Sequence, residues 1–178
     1  RKNARPWEVN KWQMQIADVI RDAEKDMVNK HLVAGLEAYN DAPWQQSSDS
    51  TFRGLKFDIV NVHPLPNTTY RGKSYHMGDF MSKQLNLQEL LDFCLATYTE
   101  ARPLNFDEDN VASCYKDYEG WTIDRKRAWV TLLSGAHYDI IDFSIINYSE
   151  TGTDSSQKYL RTWFKNLSAY MRSVDIVH

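Results

Sequence analysis

The chain has 178 residues, 42% of them hydrophobic and 25% charged, with 21 basic against 24 acidic side chains and a net charge of −3. Such figures suit one globular domain with a sizeable core, and the length falls short of a complete eight-fold α/β barrel. No basic stripe marks a nucleic-acid or anionic-membrane surface, and no run of about 18 apolar residues offers a bilayer span.

From Asn10 to about Met27 the sequence predicts an amphipathic helix, with Asn10 as N-cap. Trp12, Ile16, Val19, Ile20, Ala23 and Met27 recur at helical spacing, opposite Asp18, Arg21, Asp22 and Lys25. His31 to Leu36 is a short apolar run that suits a strand covered on both faces. Residues 39–55 are polar, without sustained period, and read as a long loop. Phe57 to Val62 is a second strand, closed by His63-Pro64, because proline fits the end of a strand and not its middle.

Residues 65–79 read as another polar loop, carrying Tyr70, Tyr75 and His76. Asn86 and Glu89 resemble a capping box, and Leu87, Leu90, Leu91, Cys94, Leu95 and Tyr98 form one apolar helical stripe. Arg102 to Phe106 is a third strand that runs into Asp107-Glu108-Asp109. A loop with Tyr115, Tyr118 and Trp121 leads to a helix from Asp124 to Ser134. Ala128, Trp129, Leu132 and Leu133 face inward there, and Gly135 is the stop. Tyr138 to Ile145 is the fourth strand. The last helix, about Ser156 to Met171, lines up Tyr159, Leu160, Trp163, Phe164, Leu167 and Met171.

This order is α/β: strands alternating with helices imply a parallel sheet joined by right-handed crossovers. No repeat and no linker divides residues 1–178, so a single domain is expected. Two cysteines make no disulfide framework, and Cys94, inside an apolar pattern, reads as a buried thiol. The chain begins at Arg1 with no apolar signal segment, which leaves a secreted or periplasmic origin open.

In parallel α/β architectures, catalytic groups collect where strands end. Here those ends carry Glu37 and Asp41, then His63, then Asp107, Glu108 and Asp109, then Asp142, Ser144 and Asn147. Each has a plainer alternative. Asp-Glu-Asp also makes a solvated turn, a histidine at a strand end also bonds backbone, and Asp142 also suits an inward polar residue bonded to a loop. Trp44 and Trp121, in loops on the presumed rim, either stack on a sugar ring or anchor the loops. Zinc-ligand spacing, a dinucleotide or phosphate loop, a nucleophile elbow and an EF-hand are all missing from the sequence, so no metal and no cofactor is expected.

The sequence resembles the C-terminal part of cellulase-like (β/α)8 glycoside hydrolases of the retaining, two-glutamate superfamily. Trp12-Gln-Met-Gln-Ile-Ala-Asp-Val-Ile20 through His31-Leu-Val looks like the helix after the fourth strand and the fifth strand. Phe57-Asp-Ile-Val-Asn-Val-His63 looks like the sixth. Arg102-Pro-Leu-Asn-Phe-Asp-Glu108 looks like the seventh, and Arg127 to Gly135 with Asp139 to Ser144 like the last helix–strand unit. The resemblance implies strands 5–8 of a TIM barrel, with Glu108 as nucleophile, His63 near it and Asp142 on the cleft floor. Glu37, Asp107, Trp44, Trp121 and Tyr138 are assigned to substrate binding. The family's acid/base glutamate, in an Asn-Glu pair, would fall just before residue 1; Glu8 comes from that neighbourhood but follows no Asn.

Two functions are therefore expected to compete. One is a fragment or half-barrel of a retaining glycosidase acting on a glycan. The other is a non-catalytic half-barrel that binds carbohydrate or builds an oligomer. Four barrel strands leave two open edges, so the expected partners, besides a carbohydrate, are the missing N-terminal half or a second copy of the chain.

Overall fold

Proline lacks a donor and fixes φ, so Pro6 opens helix α1 (Pro6–Ala23) four residues ahead of the expected cap. In the computed structural model, residues 6–36, 45–47, 57–62, 67–77, 86–98, 102–109, 118–140 and 153–175 are described. Arg21, in the last turn of α1, bonds the Asp58 carboxylate and donates to the His31 carbonyl at 2.8 Å. Asp58 in turn accepts the Val33 amide at 2.8 Å, and that bond, against burial and with Arg21 helping, holds its carboxyl below the usual range. This latch places the C-terminal end of α1 at the start of the neighbouring strands. The apolar stripe does not face a core: Trp12 is 60% and Val19 65% exposed, whereas Ala17 and Glu24 are buried.

The four expected strands are present. They are β1 (Ala34–Leu36), β3 (Ile59–Val62), β6 (Leu104–Asp109) and β7 (His137–Ile140). All pair in parallel, in the spatial order β1-β3-β6-β7, each beside the one before it in the chain. Gly35 permits the approach of Phe57, whose ring a Cβ at that position would overlap.

A second, small sheet occupies part of what reads as loop. Strands β2 (Gln45–Ser47) and β4 (Asn67–Tyr70) pair in parallel, and β4 folds back antiparallel on β5 (Lys73–His76). The turn is Arg71-Gly72, both at positive φ (50° and 78°), as a two-residue hairpin with the right twist requires. Its signal was the Tyr-Arg-Gly-Lys step between two short runs rich in Thr, Tyr and Ser. Tyr70 and Tyr75 are buried, which is why this segment cannot be a solvated loop.

Helix α2 (Leu87–Thr97) begins at Asn86, whose side chain accepts the Glu89 amide, as the spacing suggested. Its buried line is Leu90, Phe93, Cys94 and Thr97; Leu95 and Tyr98 of the expected stripe are exposed. Burial pushes the Cys94 thiol up to about 12, the inert buried thiol foreseen. Helix α3 (Tyr118–Leu133) starts six residues before the expected Asp124, and helix α4 (Asp154–Ser173) is held by a reciprocal Thr153–Ser156 capping box.

Val60 and Val62 of β3 and Leu104 and Phe106 of β6 meet Leu90, Phe93 and Cys94 of α2 in one core, joined by Tyr70, Tyr75 and Met77. Phe93 is its centre, with Tyr75, Phe106 and Tyr70 edge-on at 5.4, 5.7 and 6.2 Å between centroids. Tyr138 of β7 stacks on Phe164 of α4 at 6.2 Å, so α2 and α4 lie on the same side of the large sheet. None of the described helices is long and apolar enough to cross a membrane.

Candidate functional site

Side chains alternate across a strand, so the face opposite the helices carries Asn61, Asn105, Asp107, His137 and Asp139. Asn61 and Asn105 are register partners on β3 and β6, and the Asn105 amide donates to Asn61 Oδ1 at 3.2 Å. Polar residues in a row along a parallel sheet's face depart from the two-sided apolar pattern expected of it.

At the C-terminal end of β6 the pairing shifts: Phe106 faces Tyr138, but Asp109 faces Ile140, so β6 holds one residue more than β7. This β-bulge spans Asp107 and Glu108. It leaves Asp107 on the open face and sends Asp109 to the helix side, where it is buried and accepts from Arg127 Nε at 2.7 Å. Asp107 contacts Asp139 across the bulge. Partial burial, then the neighbouring charge and hydrogen bond of Asp107, raises the Asp139 carboxyl above the ordinary Asp value.

Behind the sheet, Arg127 and Asp124 of α3 and the Tyr138 hydroxyl gather around Asp109. Burial opposes the Arg127 charge, and the carboxylates of Asp109 and Asp124 outweigh it. Burial, with the same two carboxylates, pushes the Tyr138 phenol well above its usual value.

The expected site residues fall in several places. Asp107 lies on the open face, in contact with Asp139. Glu108 belongs by its backbone to the bulge of β6; its side chain lies outside the described residues, as do Glu37, Trp44, His63 and Asp142. Glu8 is exposed in the first turn of α1, the end away from the Arg21–Asp58 latch. Two placements are corrected. Trp121 is not in a loop: it is buried in α3, stacked on Tyr159 at 6.2 Å, and offers no free ring face. Tyr138 turns to the helix side and lies behind the open face.

Asp139, Asn61 and Asn105 were missed. Each stands between two apolar residues of its strand (Val60 and Val62, Leu104 and Phe106, Tyr138 and Ile140), and that alternation was the available signal. A cavity of about 350 Å³, lined by Cys94, Thr97, Arg102, Pro103 and Gly135, opens at the N-terminal ends of β6 and β7, away from the carboxyls. Among the described residues no cluster of three His, Cys, Asp or Glu is placed to hold a metal ion.

The Asp139 pair makes a signed stability prediction. A carboxyl whose folded pKa is raised binds its proton more tightly when folded. Stability is therefore highest below the unfolded value of 3.8 and falls as pH rises through the folded value. Asp139→Asn is expected to raise the melting temperature at pH 7 and to leave it unchanged at pH 3. The gain is at most about 1 kcal/mol, because the residue is largely exposed. Thermal melts at both values check it; a loss at pH 7 goes against the pair.

Comparison with protein-family models, with curated proteins and with solved structures returned no match to the chain.

Proposed function

We propose that this chain is a glycoside hydrolase-like half-barrel, strands 5–8 of a (β/α)8 barrel, acting on a glycan with Glu108 as nucleophile. The observation that carries it is the polar open face of a singly wound parallel sheet. Of four parallel strands in chain order, β3, β6 and β7 present carboxyls and amides on the face that a closed barrel would turn inward. Sugar hydroxyls both donate and accept, and a row of Asn61, Asn105, Asp107 and Asp139 offers both functions to them.

Asp107 and Asp139 are neighbours across the bulge on the open face. In this reading they bind the sugar, and the nucleophile is the adjacent Glu108. His63 and Asp142 keep their proposed places beside it and Glu37 its place at the rim; the acid/base residue is Glu8 or comes from the segment that completes the barrel. That segment is an N-terminal half or a second copy of the chain, added along β1 and β7, the outer strands of the sheet among the described residues.

The family's Asn-Glu acid/base pair is missing from the sequence, and this motivates the second reading, a non-catalytic carbohydrate-binding or assembly module. A panel of aryl glycosides and polysaccharides separates the two, with the completing half supplied. Turnover supports the hydrolase, and saturable glycan binding without turnover supports the module.

A further inference from the structure

Arg127 is the one fully buried basic side chain among the described residues. Its Nε donates to Asp109 Oδ2 at 2.7 Å, and a terminal nitrogen donates to the Met77 carbonyl at 2.6 Å. Asp109 is the last residue of β6, Met77 directly follows β5, and Arg127 stands on α3. One side chain thus ties three segments that are 18 and 50 residues apart in the chain.

An apolar residue of similar volume would fill the same space without desolvating a charge, and such replacements are often neutral for stability. The ionic tie therefore calls for a reason other than packing. Its location supplies one: it grips β6 at the single point where the pairing with β7 shifts. Regular alternation from Phe106 would carry Asp109 to the open face; the bulge carries it to the helix side, and there Arg127 holds it.

We propose that Arg127 is a positioning residue. By holding Asp109 and the Met77 carbonyl inside, it fixes the bulge at Asp107–Glu108 and so keeps Asp107 against Asp139 on the open face. Guanidinium geometry matters in this, since two of its nitrogens reach a carboxylate and a carbonyl on different segments. The inference bears on catalysis only through the hydrolase reading. Its test reads carboxyl groups, not turnover, so the two can fail separately.

The test is a carboxyl titration of the full chain labelled with ¹³C at the aspartate side chains. The titratable groups around the pair are Asp107, Asp139 and His137 on the open face, with Asp109, Asp124, Tyr138 and Arg127 behind the strand. Asp139 of the wild type is expected to titrate above the ordinary Asp range. In Arg127→Met, folded by circular dichroism, that elevation is expected to shrink toward what burial alone gives, because the part contributed by Asp107 is lost. In Asp109→Asn, which keeps an acceptor for Arg127 Nε, it is expected to persist. A folded Arg127→Met that keeps the full elevation overturns the proposal.

Should Arg127→Met fail to fold, Asp109→Ala cuts the same tie from the strand side and takes its place. Hydrogen exchange of the unaltered protein gives an independent reading. The amides of residues 107–109 are expected to exchange within about tenfold of Phe106, as a pinned strand end requires. Exchange a thousandfold faster than Phe106 shows a frayed end that Arg127 does not hold, and overturns it too.

Discussion

Glu108→Gln is expected to lower turnover of an activated aryl β-glycoside by on the order of 10³-fold or more, with little change in KM. The amide matches the carboxylate in shape and can still meet a sugar hydroxyl, but it cannot form the glycosyl ester on which a retaining mechanism depends. Loss of a nucleophile removes a step and not a contact, so the effect falls on kcat. The completing half-barrel is present in both assays, because the acid/base carboxyl is expected from it. Added azide is expected to restore part of the rate in Glu108→Ala, by filling the space and attacking from the nucleophile's side. A misfolded variant would not respond that way. Turnover within tenfold of the wild type in Glu108→Gln removes the assignment.

Phe93→Ala is expected to cost about 3–5 kcal/mol, the range for deleting a fully buried aromatic ring. Phe93 has no exposed surface, and it is the one ring that Tyr70, Tyr75 and Phe106 all meet edge-on. Its loss opens a cavity where the hairpin, α2 and β6 join, and these three come from separate parts of the chain. For a domain of this size the melting temperature should drop by roughly 10 °C. Trp12→Ala, on the exposed stripe of α1, is the control, expected to change stability by no more than about 0.5 kcal/mol in the chain alone. A Phe93→Ala loss below about 1 kcal/mol contradicts the packing described here.

The four parallel strands were legible because each is a short apolar run bounded by polar or proline-containing segments, and because helical periods fall between the later ones. The hairpin was not legible as such. Its residues are Asn, Thr, Lys, Ser and His, with only Tyr70 and Tyr75 to bury, and a type I′ turn built on Arg71-Gly72 lacks the usual Asn-Gly step. Helix α3 misled for a different reason. Its inward face holds Asp124, Arg127 and Thr131, spaced three and four apart, among Trp121, Ile123 and Ala128; of the expected inward residues Ala128 is buried, Trp129 and Leu132 are half-buried and Leu133 is exposed. In α1 the periodicity is real, but Arg21 and Glu24, not Trp12 and Val19, make the contacts to the neighbouring strand region.

The site was legible in part for the same physical reason. Acidic residues at a strand end stand out in sequence, and Asp107 does lie on the open face. What sequence could not supply was the bulge, which parts Asp107 and Asp109 between two faces and two roles: Asp107 to the open side, Asp109 to a buried ion pair. Asp139 lies inside the fourth strand, where Asp142, nearer its end, drew the sequence reading instead. Only the register places it opposite Asp107.

A 2-deoxy-2-fluoro glycoside, whose fluorine slows breakdown of the glycosyl–enzyme ester, tests the central claim most directly. After incubation with the completed barrel, digestion and mass spectrometry, the account predicts one sugar adduct on the peptide containing residues 104–109, fixed to Glu108. Turnover of the parent glycoside with the label on another residue, or with none anywhere, contradicts it.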